Sequence, residues 1–140
     1  FQTARALARM YGALANEGRL ADGSSLVSDR TVALASEAVA DVSSAVPTRQ
    51  TFGFPEQQRS MLGLGFTPWP NPLLHGDREG ATFAHEGMGG CAAFAQPGDG
   101  FAIAVLKNAY EPFSWAAGTV TPDVKEIVDV VKAQLKLLSS

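Results

Sequence analysis

The 140-residue chain holds two histidines, one cysteine and fourteen glycines, and one His lies against a glycine cluster. His85 follows the short apolar run Ala81 to Ala84 and precedes Glu86, Gly87, Met88, Gly89 and Gly90. Backbone that few side chains cover can bring its N–H groups against a ligand, which is what stabilising a developing oxyanion requires. A hairpin also uses glycines to turn, so the residues alone leave a turn and a site as two readings of one segment.

Other candidate groups are weaker. His75, Asp77 and Glu79 fall in one loop, but their spacing matches no metal-ligand pattern, and a solvated loop is expected. Trp69, in the Pro-rich stretch Thr67 to Gly80, reads as an aromatic plug over the core or a cleft wall. Cys91 is the only cysteine, so no internal disulfide can form, and its place in an apolar run predicts a buried core thiol.

The elements that must position His85 are read from periodicity. Gly90 to Ala95 and Phe101 to Leu106 are apolar runs separated by Gln96-Pro97-Gly98-Asp99-Gly100, which predicts a β-hairpin. Ala81 to Ala84 adds a strand before it, giving three antiparallel strands in sequence, and Met61 to Phe66 reads as an extra strand with two glycines. Phe101 to Leu106 is apolar at every position, so both faces of the sheet must be covered. The small residues Ala92, Ala93 and Ala95 are expected along one side of the middle strand, where a helix could come close.

Helices supply the cover. Thr3 is an expected N-cap, with Leu7, Met10, Tyr11 and Leu14 on one face and Gly18 closing the helix as its C′ residue. After the turn Ala21 to Ser24 and a short extended piece at Leu26-Val27, Ser28 caps a second helix with Asp29 in its first turn, carrying Val32, Leu34, Ala35 and Val39. Asp41 to Gln58 is polar and irregular, with a short strand expected at Thr51 to Phe54. Thr121, Pro122 and Asp123 then give a strong helix start, followed by a stripe of Val124, Ile127, Val128, Val131, Leu135 and Leu138. Lys125, Glu126, Asp129, Lys132 and Lys136 are expected on the opposite, solvated face.

With 46% hydrophobic and 18% charged residues the composition is that of a globular domain, and a net charge of −3 supplies no basic surplus for nucleic acid or an anionic membrane. No apolar run reaches the roughly 18 residues of a membrane span, and no signal peptide is recognisable. No cofactor or metal is indicated, and the composition does not assign a compartment. The first residue is Phe1, from which the chain is expected to begin inside a longer product.

Ala4-Arg-Ala-Leu-Ala-Arg-Met-Tyr11, Leu26-Val27-Ser28 before a helix, Leu64-Gly65-Phe66, and Phe83-Ala84-His85-Glu86-Gly87-Met88-Gly89-Gly90 leading to a hairpin that ends at Asn108 occur in a recognisable order. This order resembles the C-terminal part of the serine β-lactamase-related family, which includes class C β-lactamases, penicillin-binding proteins and esterases. The likeness runs across nearly all of the chain and is most specific from Phe83 to Asn108. The family works through Ser-x-x-Lys, Tyr-x-Asn or Ser-x-Asn, and Lys-Thr-Gly motifs, and His85-Glu86-Gly87 matches the third in its His variant. The resemblance implies that His85 faces the cleft and supports proton transfer. It implies that Met88 gives its backbone N–H to the oxyanion hole, and that Glu86, Gly87 and Gly89 border the substrate.

The departures shape the expectation. No serine is followed three residues on by Lys, and neither Tyr11 nor Tyr110 is followed two residues on by Asn. Residues 1–140 are therefore expected to form a single incomplete α+β domain, the C-terminal part of a β-lactamase/transpeptidase-like fold. It has two helices in 1–40, a loop-rich segment with a short strand in 41–80, antiparallel strands in 81–108 and a helix over 121–138. Alone it is expected to be inactive. The partners implied are the missing N-terminal part of the domain and a small ester or amide, acted on through an acyl-serine in the full-length parent. Glu86, where the family has Thr, would repel an anionic substrate and favours neutral ones. The alternative is a non-catalytic binding or assembly module that keeps the fold.

Overall fold

Among the described residues, two helices, an antiparallel three-stranded sheet and a further helix occur in chain order. They are α1 (Ala4–Ala15), α2 (Asp29–Ala40), β1 (Phe83–Glu86), β2 (Ala92–Gln96), a 3-10 turn (Pro97–Asp99), β3 (Phe101–Val105) and α3 (Pro122–Gln134). The computed structural model describes residues 2–40, 66, 83–87, 90–108 and 122–135. Within these the architecture is α+β, as expected. The strands expected at Thr51 to Phe54 and, apart from Phe66, at Met61 to Phe66 lie outside the described residues, as do Trp69, His75, Asp77, Glu79 and Thr121.

Helix α1 starts where the Thr3 hydroxyl accepts the Ala6 N–H at 3.2 Å. It buries Tyr11 and Ala15 and half-buries Leu7 and Leu14, so the face that packs runs through positions 7, 11, 14 and 15. Met10, expected on that stripe, lies at its margin and is 38% exposed. The helix stops at Ala15 with Asn16 as its C-cap, earlier than a C′ glycine at position 18 implies. Glu17 is the C′ residue at φ 53°, and Gly18, at φ 86°, gives its N–H to the Ala13 carbonyl at 2.7 Å. That bond runs from C″ to C3, a Schellman closure, so Gly18 sits one residue further out than the sequence implied.

The Gly18 carbonyl then accepts the Leu26 N–H at 2.8 Å; the extended bridge is Arg19 with Ser25, one residue before the expected piece, and Leu26 and Val27 form bends. Within this turn the Ser24 hydroxyl and N–H both bond the Asp22 carboxylate, which lowers the Asp22 pKa. Helix α2 is capped by Ser28, whose hydroxyl accepts the Thr31 N–H at 3.1 Å, with Asp29 in its first turn as expected. Val32 is buried and Ala35 half-buried, whereas Leu34 is exposed.

The strand order is β1-β2-β3, with Phe83 opposite Ala95 at one end of the first ladder and Gln96 opposite Phe101 at the end of the second. The strands run shifted from the expected bounds: β1 extends to Glu86, so it contains His85, and β2 begins at Ala92. Pro97 and Gly100, the latter at φ 62°, close the β2–β3 reversal at the predicted place, with the Gly100 N–H on the Pro97 carbonyl.

Both faces are apolar and both are covered. On one face Ala84, Ala92, Phe94 and Phe101 pack with Val124 and Val128 of α3. On the other Phe83, Ala93 and Ala95 pack with Tyr11 and Ala15 of α1 and Val32 of α2. Strand alternation therefore divides the alanines expected together, sending Ala92 to the α3 face and Ala93 and Ala95 to the α1 face. Across the second ladder Ala93 meets Ala104 and Ala95 meets Ala102, so beside Phe83 the strands β2 and β3 turn methyl groups toward α1.

Helix α3 starts at Pro122 with Asp123 in its first turn and buries Val124 and Val128. Lys132 contradicts the expected polar face: it is buried, and its ammonium lies 5.3 Å and 5.5 Å from the ring centroids of Phe94 and Phe101. Its aliphatic stem fills apolar space while the charge rests on two ring faces. In exchange, Ile127 and Leu135 of the expected stripe are exposed, with Val130 beside them. Lys125 pairs with Asp129 one turn on, as the polar face predicts.

Candidate functional site

His85 is the third residue of β1, paired across the ladder with Ala93. Alternation puts it on the face of Phe83 and Ala93, the side α1 covers, yet it is exposed where Phe83 is fully buried. The imidazole thus stands at the uncovered end of an otherwise packed surface. Beyond Glu86 the chain reverses: the Gly87 N–H donates to the Cys91 carbonyl at 2.7 Å and the Gly90 N–H to the Gly87 carbonyl at 2.9 Å. Gly90, at φ 85°, is left-handed just before Cys91.

The two readings of the glycine cluster divide between its members. Gly90 is there for the turn, because its φ of 85° is one that L side chains rarely adopt. Gly87 has no such constraint, and a Cβ built on it would meet Cys91 only at an ordinary 3.7 Å. Nothing in the described fold requires glycine at 87. The amides of Gly87 and Gly90, which the bare backbone was expected to offer, are both engaged within the turn. Met88, Gly89 and the Glu86 side chain lie outside the described residues.

Cys91 is half-buried and sits just ahead of β2, where a fully buried strand thiol was expected. Its sulfur accepts the Lys107 N–H at 3.3 Å and lies 3.8 Å from the Lys107 carbonyl. The Lys107 ammonium in turn pairs with Asp123 at 2.6 Å. Neither Lys107 nor Asp123 stood out as part of this region in the sequence. The available signal was a lone cation straight after the apolar run Phe101 to Leu106.

A separate shallow cavity of about 410 Å³ lies against Glu17, Asp29, Arg30, Val32 and Ala33, where α1 ends and α2 begins. It touches none of the predicted site residues. Among the described residues no group of His, Cys, Asp and Glu could hold a metal ion, and no helix is long and apolar enough to cross a membrane. Compared with protein-family models, with curated proteins and with solved structures, the chain matches none.

Proposed function

We propose that this chain is the C-terminal portion of a β-lactamase-related serine hydrolase, which transfers an acyl group from a neutral ester or amide through an acyl-serine. The observation that carries the reading is the pairing of an exposed imidazole on β1 with a glycine two residues on that nothing among the described residues requires. In the proposed role His85 supports the proton-transfer network. Gly87 keeps the strand end open to the substrate, and the Met88 N–H is one donor of the oxyanion hole. Assigning that donor to Met88 is consistent with the Gly87 N–H being committed to Cys91. Glu86 and Gly89 border the substrate, and the carboxylate at 86 disfavours anionic ones. The nucleophile and its base would come from residues before Phe1, in the remainder of the same domain.

The test is to treat the longer protein with a serine-directed acylating probe. An adduct is expected at a serine of a Ser-x-x-Lys motif upstream of Phe1, and His85→Ala should slow its formation by about 100-fold or more. Gly87→Ala should slow it too while leaving the melting temperature nearly unchanged. No adduct upstream, or labelling indifferent to both substitutions, refutes the proposal. The 140 residues alone should hydrolyse no ester, and ester turnover by them that falls on His85→Ala would contradict this.

A second reading has one observation in its favour: no Ser-x-x-Lys or Tyr-x-Asn occurs among the 140 residues. If the parent lacks these motifs as well, the fold serves as a binding or assembly module without turnover.

A further inference from the structure

We infer that Lys107 is a positioning residue for the turn that follows His85, tying that turn to the C-terminal helix; its relevance to catalysis rests on the reading of the turn as the site. The β2–β3 ladder ends at the pair Ala92 and Val105. One residue before Ala92 the chain has already swung away, because Gly90 takes φ 85°. At that point the Cys91 thiol replaces the missing ladder bond, accepting the Lys107 N–H at 3.3 Å. The carbonyl of the same Cys91 accepts the Gly87 N–H at 2.7 Å. Lys107, Cys91 and Gly87 are thus linked in series, and His85 lies two residues from the last of them.

What fixes the first link is the Lys107 side chain. It is only 14% exposed and meets the Asp123 carboxylate at 2.6 Å in the first turn of α3, where the helix dipole also favours the negative charge. Removing the ammonium loosens the segment after β3 from α3. The thiol then holds a less firmly placed peptide, and the turn loses part of its support. The opposite substitution pattern isolates the charge: Arg keeps it, whereas Met keeps the length and apolar stem without it.

Residue-resolved amide hydrogen exchange on the chain measures this directly. Lys107→Met should speed exchange at Gly87 roughly tenfold, with Phe94 in the middle strand unchanged, as a local opening requires. Lys107→Arg should restore the slow exchange. Cys91→Val, which removes the acceptor and keeps a similar bulk, should reproduce the Lys107→Met effect at Gly87. Unchanged Gly87 exchange in Lys107→Met or in Cys91→Val, failure of Arg to rescue, or Phe94 accelerating in step with Gly87 would each overturn the inference. Because the readout involves no acyl chemistry, a parent that takes up no serine-directed probe removes the catalytic meaning and leaves this coupling standing.

Discussion

Replacing Phe94 by Ala should lower stability by about 3–5 kcal/mol, the range for truncating a buried Phe. Phe94 is 1% exposed in the middle strand, packs 5.7 Å from the Phe101 ring and lies under the Lys132 ammonium. Truncation opens a cavity between β2 and α3 and also removes one of the two ring faces on which a buried charge rests. Lys132 cannot simply turn to water without withdrawing its stem from the same cluster. Against a total of about 5–15 kcal/mol for an ordinary domain, the loss is large. Thermal unfolding followed by circular dichroism should show a drop of about 10 °C or more. A drop of less than about 3 °C would mean that the α3 face contributes far less than its packing implies.

The second large effect is expected at Gly18. A Cβ there would stand 2.2 Å from the Val27 carbonyl oxygen, an atom of the backbone that cannot swing aside, and φ is already 86°. The left-handed conformation costs an L-residue about 1–2 kcal/mol, and forcing an extra atom into a packed place costs a further 1–3 kcal/mol or so. Gly18→Ala should therefore destabilise by about 3 kcal/mol. Gly23 is the internal control, since its φ is 83° but a Cβ would meet nothing within 4 Å. Gly23→Ala should lose about 1 kcal/mol, from conformation alone. Urea denaturation of both variants decides the matter: equal losses would show that the contact between Gly18 and Val27 relaxes freely.

These cases show what could be read in the sequence and what could not. The β2–β3 hairpin was legible because Pro97 and Gly100 punctuate two apolar runs, and the start of α3 because Pro122 and Asp123 announce it. Covering both faces of the sheet followed from Phe101 to Leu106 being apolar throughout. Lys132 was misplaced because hydropathy treats a lysine as its ammonium alone, while the structure buries the stem and sets the charge on aromatic rings. The alanines were grouped by proximity in sequence, although the two-residue period of a strand separates Ala92 from Ala93 and Ala95. At the candidate site His85 was visible, but its glycines looked alike. Only φ distinguishes Gly90, left-handed at 85°, from Gly87, which has no positive φ. The link from Lys107 through Cys91 joins positions sixteen apart along the chain, and no local pattern encodes it.

The methyl-lined floor beneath α1 also constrains how the sequence can change over time. Ala93, Ala95, Ala102 and Ala104 turn only methyl groups toward α1, so a larger group there is expected to need a smaller one on α1 in the same lineage. The opposite face sets Phe94, Phe101, Ile103 and Val105 with Ala84 and Ala92 against Val124 and Val128. Descendants of this chain should therefore keep small residues beneath α1, or change them only through paired, compensating substitutions.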